Sequence, residues 1–132
     1  MEKVEADPKR AEELMVAAAR DIGVAEDNLK ISHSEWALAI SYNAMLSAGM
    51  ALMASKGYRP FTEAHHLAAV QFCAAVLPKE SSGLVARFNR YRVRRHDVVY
   101  GEAGSVGEDE ARRAVESAKA FIGEIKRAIA PR

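Results

Sequence analysis

From Glu108 to Ile129 the apolar residues fall at Ala111, Val115, Ala118, Phe121, Ile122, Ile125 and Ile129, with charged residues between them. Spacings of three and four place these seven side chains along one side of an α-helix. Such a helix gains most of its stability by pressing that side against other elements. The rest of the chain keeps the same period. No segment alternates as a half-buried strand would, and no internal repeat is visible. The pattern predicts an all-α fold, an antiparallel bundle of four to five helices with short connections, in a single domain over 1–132. A chain of 132 residues, 49% of them hydrophobic, is large enough to bury a core of its own.

The breaks between helices are marked chemically. Asp7-Pro8 opens the first helix, because Asp can accept from free amides and Pro at the first position gives up no hydrogen bond. Gly23 either ends this helix or only weakens it, since Val24–Leu29 resumes the pattern. Ser32-His33-Ser34-Glu35 has the form of a capping box, with Ile31 and Trp36 positioned as a hydrophobic staple and Trp36 as a core residue. A second helix follows, about Ser34–Ser55, with Gly57 as its left-handed cap. Its Ala, Ser, Gly and Met content favours close approach of a neighbouring helix and filling of irregular gaps. Pro60 breaks the chain, Thr62 can cap a third helix from Glu63 to about Val76, and Pro78 ends it. A fourth runs from about Ser81 to Tyr100. Gly101, Gly104 and Gly107 then form a loop in which Ser105 and Glu108 make a second capping box.

Several function classes drop out. The net charge of +1 gives no whole-chain argument for nucleic acid, so local charge must carry it. The lone Cys73 forms no internal disulfide, which suits a reducing, cytoplasmic setting, and MEKVEADPKR has no apolar segment of a signal peptide. The longest apolar run, around Ala44–Ala54, is interrupted by Ser47 and Gly49, so no membrane span is expected. Glu63-x-x-His66 is half of a di-metal carboxylate motif without its second half, and His66 with Cys73 is too few ligands for zinc. Neither a metal nor another cofactor is expected. No glycine-rich phosphate loop is present.

The densest chemistry lies in the fourth helix, where five of the nine residues from Arg87 to Arg95 are arginine. At about 100° per residue, Leu84, Val85, Phe88, Tyr91, Val98 and Val99 form one apolar face, with Arg95 near its middle and Arg92 at its edge. Arg92, His96 and Tyr100 stack along one side, while Arg87, Arg90 and Arg94 point away. A guanidinium in an apolar stripe needs a carboxylate, an anion or a partner subunit. Phosphate suits it, because its oxygens match the guanidinium fork. The outward arginines suit either solvent or an RNA backbone.

Tyr42-Asn43-Ala44-Met45 with Ala48, then Ala54-Ser55-Lys56-Gly57, then His65-His66, then Arg94-Arg95-His96-Asp97-Val98-Val99-Tyr100-Gly101, and a final helix with Phe121 and Ile125, together resemble the HEPN family. The resemblance covers Ile22 to Ile129. It implies a HEPN-like helical domain, a homodimer whose arginine helices meet at a shared cleft, and binding of RNA or nucleotide. Active members are metal-independent ribonucleases, often toxins beside a nucleotidyltransferase-like antitoxin. Carried onto this chain, His96 is the acid/base, Arg95 and Arg92 clamp phosphate, Asn89 and Tyr100 are polar helpers, and Arg90 adds an RNA contact. The family spacing of Arg, four residues, His departs here: counted from Arg95 it lands on Tyr100, a phenol of pKa about 10 and a poor base at neutral pH. Arg90, five residues, His96 meets a looser form. The alternative is a non-catalytic interaction module partnering a nucleotidyltransferase-like protein. A third reading ties the arginines to Glu108, Asp109, Glu110 or other acids.

Overall fold

A computed structural model describes residues 1–61, 65–101 and 105–130. The proposed Thr62 cap, the helix start at Glu63, Gly104 and the side chain of Tyr100 lie outside the described residues. Five helices occur among those described: α1 (Pro8–Lys30), α2 (Ser34–Lys56), α3 (His65–Val76), α4 (Ser82–Tyr100) and α5 (Glu108–Ile129). The expected antiparallel all-α bundle is the observed fold. α1 opens as its sequence dictates: the Asp7 side chain accepts from the Arg10 amide at 3.0 Å, with Pro8 at the first position. It passes through Gly23 without a break.

α2 is the centre of the bundle. It packs against α1, α3, α4 and α5, and Leu38, Tyr42, Met45, Leu52 and Met53 are among its fully enclosed side chains. By length and composition alone α2 is apolar enough to cross a membrane, even though Ser47 and Gly49 interrupt it. The Ser and Gly breaks are too few to lower its hydropathy, and its apolar surface is instead covered by the other helices. Small residues make that covering possible: a Cβ added at Gly49 would come within 3.2 Å of the Phe88 ring and 3.4 Å of Cys73 Sγ. Cys73 is itself buried, and burial pushes its thiol up to about 12, so it behaves as a small hydrophobe.

Both expected capping boxes are absent, for one reason. Ser32 adopts the left-handed conformation (φ 60°), and α2 begins one residue later than a box would need, with His33 at the cap and no side-chain capping bond. Ile31 and Trp36 are consequently exposed, at 62% and 58%, so neither the staple nor a core Trp36 forms. At α5 the cap is Gly107 rather than Ser105. The members of the two supposed boxes find each other instead: Ser32 Oγ donates to Glu108 Oε1 at 2.9 Å and ties the α1–α2 turn to the start of α5.

A short ribbon was not foreseen. Glu2–Lys3 (β1) pairs antiparallel with Tyr58–Arg59 (β2), Glu2 opposite Arg59 and Lys3 opposite Tyr58. Two-residue strands are too short to register as alternation. The pairing follows from Gly57, whose left-handed conformation (φ 82°) caps α2 and turns the chain beside Val4. A Cβ at Gly57 would meet Val4 O at 2.7 Å. Gly57→Ala is therefore expected to cost about 1–2 kcal/mol from the left-handed conformation alone, plus the displacement of the N-terminal segment. A urea midpoint that does not move would contradict this.

Candidate anion site between α2, α3 and α4

α4 is fixed by its apolar face. After a 3-10 turn at Lys79–Ser81, Val85, Phe88 and Tyr91 are buried, and Leu84 and Val98 are partly so. Val99 departs from the expected face and is 39% exposed. Phe88 lies between Tyr42 of α2, at 5.8 Å between ring centroids, and Phe121 of α5, at 4.9 Å. This aromatic row sets the rotation of α4 and carries Arg92 and Arg95 on its flank.

Arg95 is half-buried, and its guanidinium carbon stands 6.0 Å from the centroid of the Tyr42 ring, at the outer limit of cation–π contact. Its Nε is shielded from solvent and has no hydrogen-bond partner. Arg92 donates from Nε to Asn89 Oδ1 at 3.0 Å, one turn back on the same helix. Among the described residues no carboxylate pairs with either arginine. The third reading of the sequence applies to a different residue, Arg94, which donates to both Glu110 oxygens at 2.8 and 2.9 Å and to Ser105 O. Arg94 thus does not point to solvent as the wheel suggested, because α5 occupies that side. Its hydrogen bond holds the Glu110 carboxyl below the usual range. Arg87 and Arg90 are exposed and line a cleft with Tyr91, Arg113 and Glu116 on the α5 side of α4. His96 is exposed, next in sequence to Arg95.

Two groups complete the site that the sequence reading had not assigned to it. Tyr42 is fully buried, and its hydroxyl shares a 2.7 Å hydrogen bond with Nδ1 of His66 on α3. The two rings stack at 5.7 Å with 20° between planes, and the His65 ring lies 4.2 Å from that of His66. Burial pushes the Tyr42 phenol up to about 12 against the opposing pull of Arg92 and Arg95, so it keeps its proton. Burial, and then the electrostatic influence of His65, Arg95 and Arg92, lower the pKa of His66 and favour the neutral ring. The available signal was that His65 and His66 are the sole ionisable groups in α3 apart from its thiol, but the hydrogen-bond partner of His66 is 24 residues away. Glu63, the other half of the weighed metal motif, lies outside the described residues, and among those described no three His, Cys, Asp or Glu side chains converge.

The arrangement is chemically one-sided. Two guanidiniums, one with a buried unsatisfied N–H, border a neutral imidazole and a protonated phenol. These groups offer hydrogen-bond donors and positive charge, which suits an anion.

Residues 11–128 match the model of the HEPN domain. No curated protein matches the chain. Among solved structures it is similar to that of TT1696 from Thermus thermophilus, with a TM-score of 0.73 and 16% identity over 90% of this chain and 98% of that one. At that identity the likeness is one of fold.

Proposed function

This chain belongs to the HEPN domain family, and from that premise we propose that it binds phosphate groups of RNA or a nucleotide through Arg92 and Arg95. The observation that carries the reading is the buried, unpartnered Nε of Arg95 on the same helix as a second arginine that, among the described residues, also lacks a carboxylate. A buried N–H left without an acceptor costs free energy, and an anion that accepts from the fork recovers it. Asn89 holds Arg92 in position by accepting from its Nε, and the remaining guanidinium nitrogens are left to the ligand. Arg90, exposed on the same helix, adds diffuse attraction for a longer RNA, and Tyr100, the last residue of that helix, is assigned as a further polar contact. The test is equilibrium binding of a labelled single-stranded RNA at several salt concentrations, comparing the parent chain with an Arg95 variant. Binding that ignores Arg95 refutes the reading.

A second reading, cleavage of RNA, is favoured by the imidazoles beside these arginines: His66 behind Arg95, and His96 directly after it in sequence. Attack by a 2′-hydroxyl on the adjacent phosphorus needs a proton acceptor for that hydroxyl, a donor for the departing 5′-oxygen, and charge stabilisation on phosphate. The expected result is a cyclic 2′,3′-phosphate end on RNA and no cut in DNA of the same sequence, with activity lost in His96→Ala and Arg95→Ala. Intact RNA after prolonged incubation removes cleavage and leaves binding standing, as a non-catalytic module would behave.

A further inference from the structure

We propose that His66 is a third ligand group of the arginine site and that it takes up a proton when the phosphate binds. The inference rests on the phosphate reading of the site. It starts from the hydrogen bond between Tyr42 Oη and His66 Nδ1, 2.7 Å long and part-buried, which links α2 to α3. A phenol is both donor and acceptor. Toward a neutral imidazole Tyr42 donates to Nδ1. Toward an imidazolium it rotates its O–H and accepts from Nδ1–H. The same contact therefore serves both charge states without moving a ring, and in each of them Nε2 carries an N–H for a ligand.

The charges then decide which state is populated. The groups that act on His66 are Tyr42 from α2, His65 on α3, and Arg95 and Arg92 from α4. The cations and the partial burial together disfavour a further positive charge while the site is unliganded. An anion accepting from Arg95 and Arg92 cancels much of their field at the imidazole and adds an acceptor that prefers the charged ring. The pKa of His66 must then rise on binding. Linkage requires the reciprocal effect: lowering the pH through the interval between the free and bound values strengthens phosphate binding, by at most about tenfold per pH unit for one proton.

A single-stranded thymidine oligonucleotide is a suitable probe, because neither its phosphodiesters nor its bases titrate between pH 5 and 8 and it has no 2′-hydroxyl to react. Its affinity for the full chain is measured across that range for the parent, His66→Gln, Tyr42→Phe and Arg95→Met. The expected result is tighter binding at lower pH in the parent, a several-fold flatter profile in His66→Gln, and a profile displaced along the pH axis in Tyr42→Phe. Calorimetry in two buffers of different ionisation enthalpy should show proton uptake with the parent protein, a readout that survives if His66→Gln fails to fold. Arg95-dependent binding that is flat with pH, or a slope that persists unchanged in His66→Gln, overturns this inference and spares the phosphate reading. Binding indifferent to Arg95→Met overturns both.

Discussion

Arg95→Met should weaken binding of single-stranded RNA by about 10- to 100-fold while leaving the fold as stable as before or more so. The two halves of this expectation share a cause. Methionine keeps much of the apolar stem and removes the guanidinium that stands over Tyr42. In the unliganded protein that group holds a buried N–H without an acceptor, a penalty of about 1–3 kcal/mol in typical cases. Its removal relieves the penalty, against which stands the loss of a weak contact at 6.0 Å with the Tyr42 ring. In the complex the same group would make charge-assisted bonds worth about 1.5–3 kcal/mol each. Opposite movements of affinity and of the urea midpoint are the mark of a residue kept for a ligand. A variant that binds normally but unfolds more readily would make Arg95 a structural residue.

The largest loss of stability is expected at Phe88. Its ring contacts Tyr42 and Phe121, and it approaches the space where Gly49 has no side chain. Phe88→Ala removes the middle of that row, and truncation of a buried Phe costs about 3–5 kcal/mol. Against a total of about 5–15 kcal/mol for an ordinary domain, this places the chain near its unfolding threshold. RNA binding should fall too, since Phe88 sets the rotation of α4 that brings Arg95 over Tyr42. Trp36 is the control: although larger, it is 58% exposed, and Trp36→Ala should cost no more than about 0.5 kcal/mol. Thermal or urea unfolding of the two variants separates these outcomes, and equal losses would contradict the packing described above.

Helices were legible where a period ran long enough. The stripe from Ala111 to Ile129 announced α5, and Asp7-Pro8 announced the first turn of α1. Their relative rotation was not legible, because it is set by contacts between segments far apart in sequence. Arg94 faces outward on a wheel of α4 alone, yet α5 places Glu110 there. Ser32 and Ser105 lie at capping spacing, yet a left-handed residue and a one- or two-residue shift in helix start redirect both. The candidate anion site was half visible. Arg95 stood out as a charge in an apolar stripe, and its neighbour Arg92 with it. Tyr42 and His66 did not, since a tyrosine in one helix and a histidine in the next carry no sign of their shared proton until the helices are packed.

The position of α2 also bears on how the chain is made. A ribosome delivers residues in order, and N-terminal units begin to fold first. Of the helices that pack on α2, α1 alone precedes it, whereas α4 and α5 begin at Ser82 and Glu108. Until those residues leave the exit tunnel, a helix apolar enough to cross a bilayer stands partly bare. Apolar surface left bare in this way is open to other hydrophobic company until the second half of the bundle is in place.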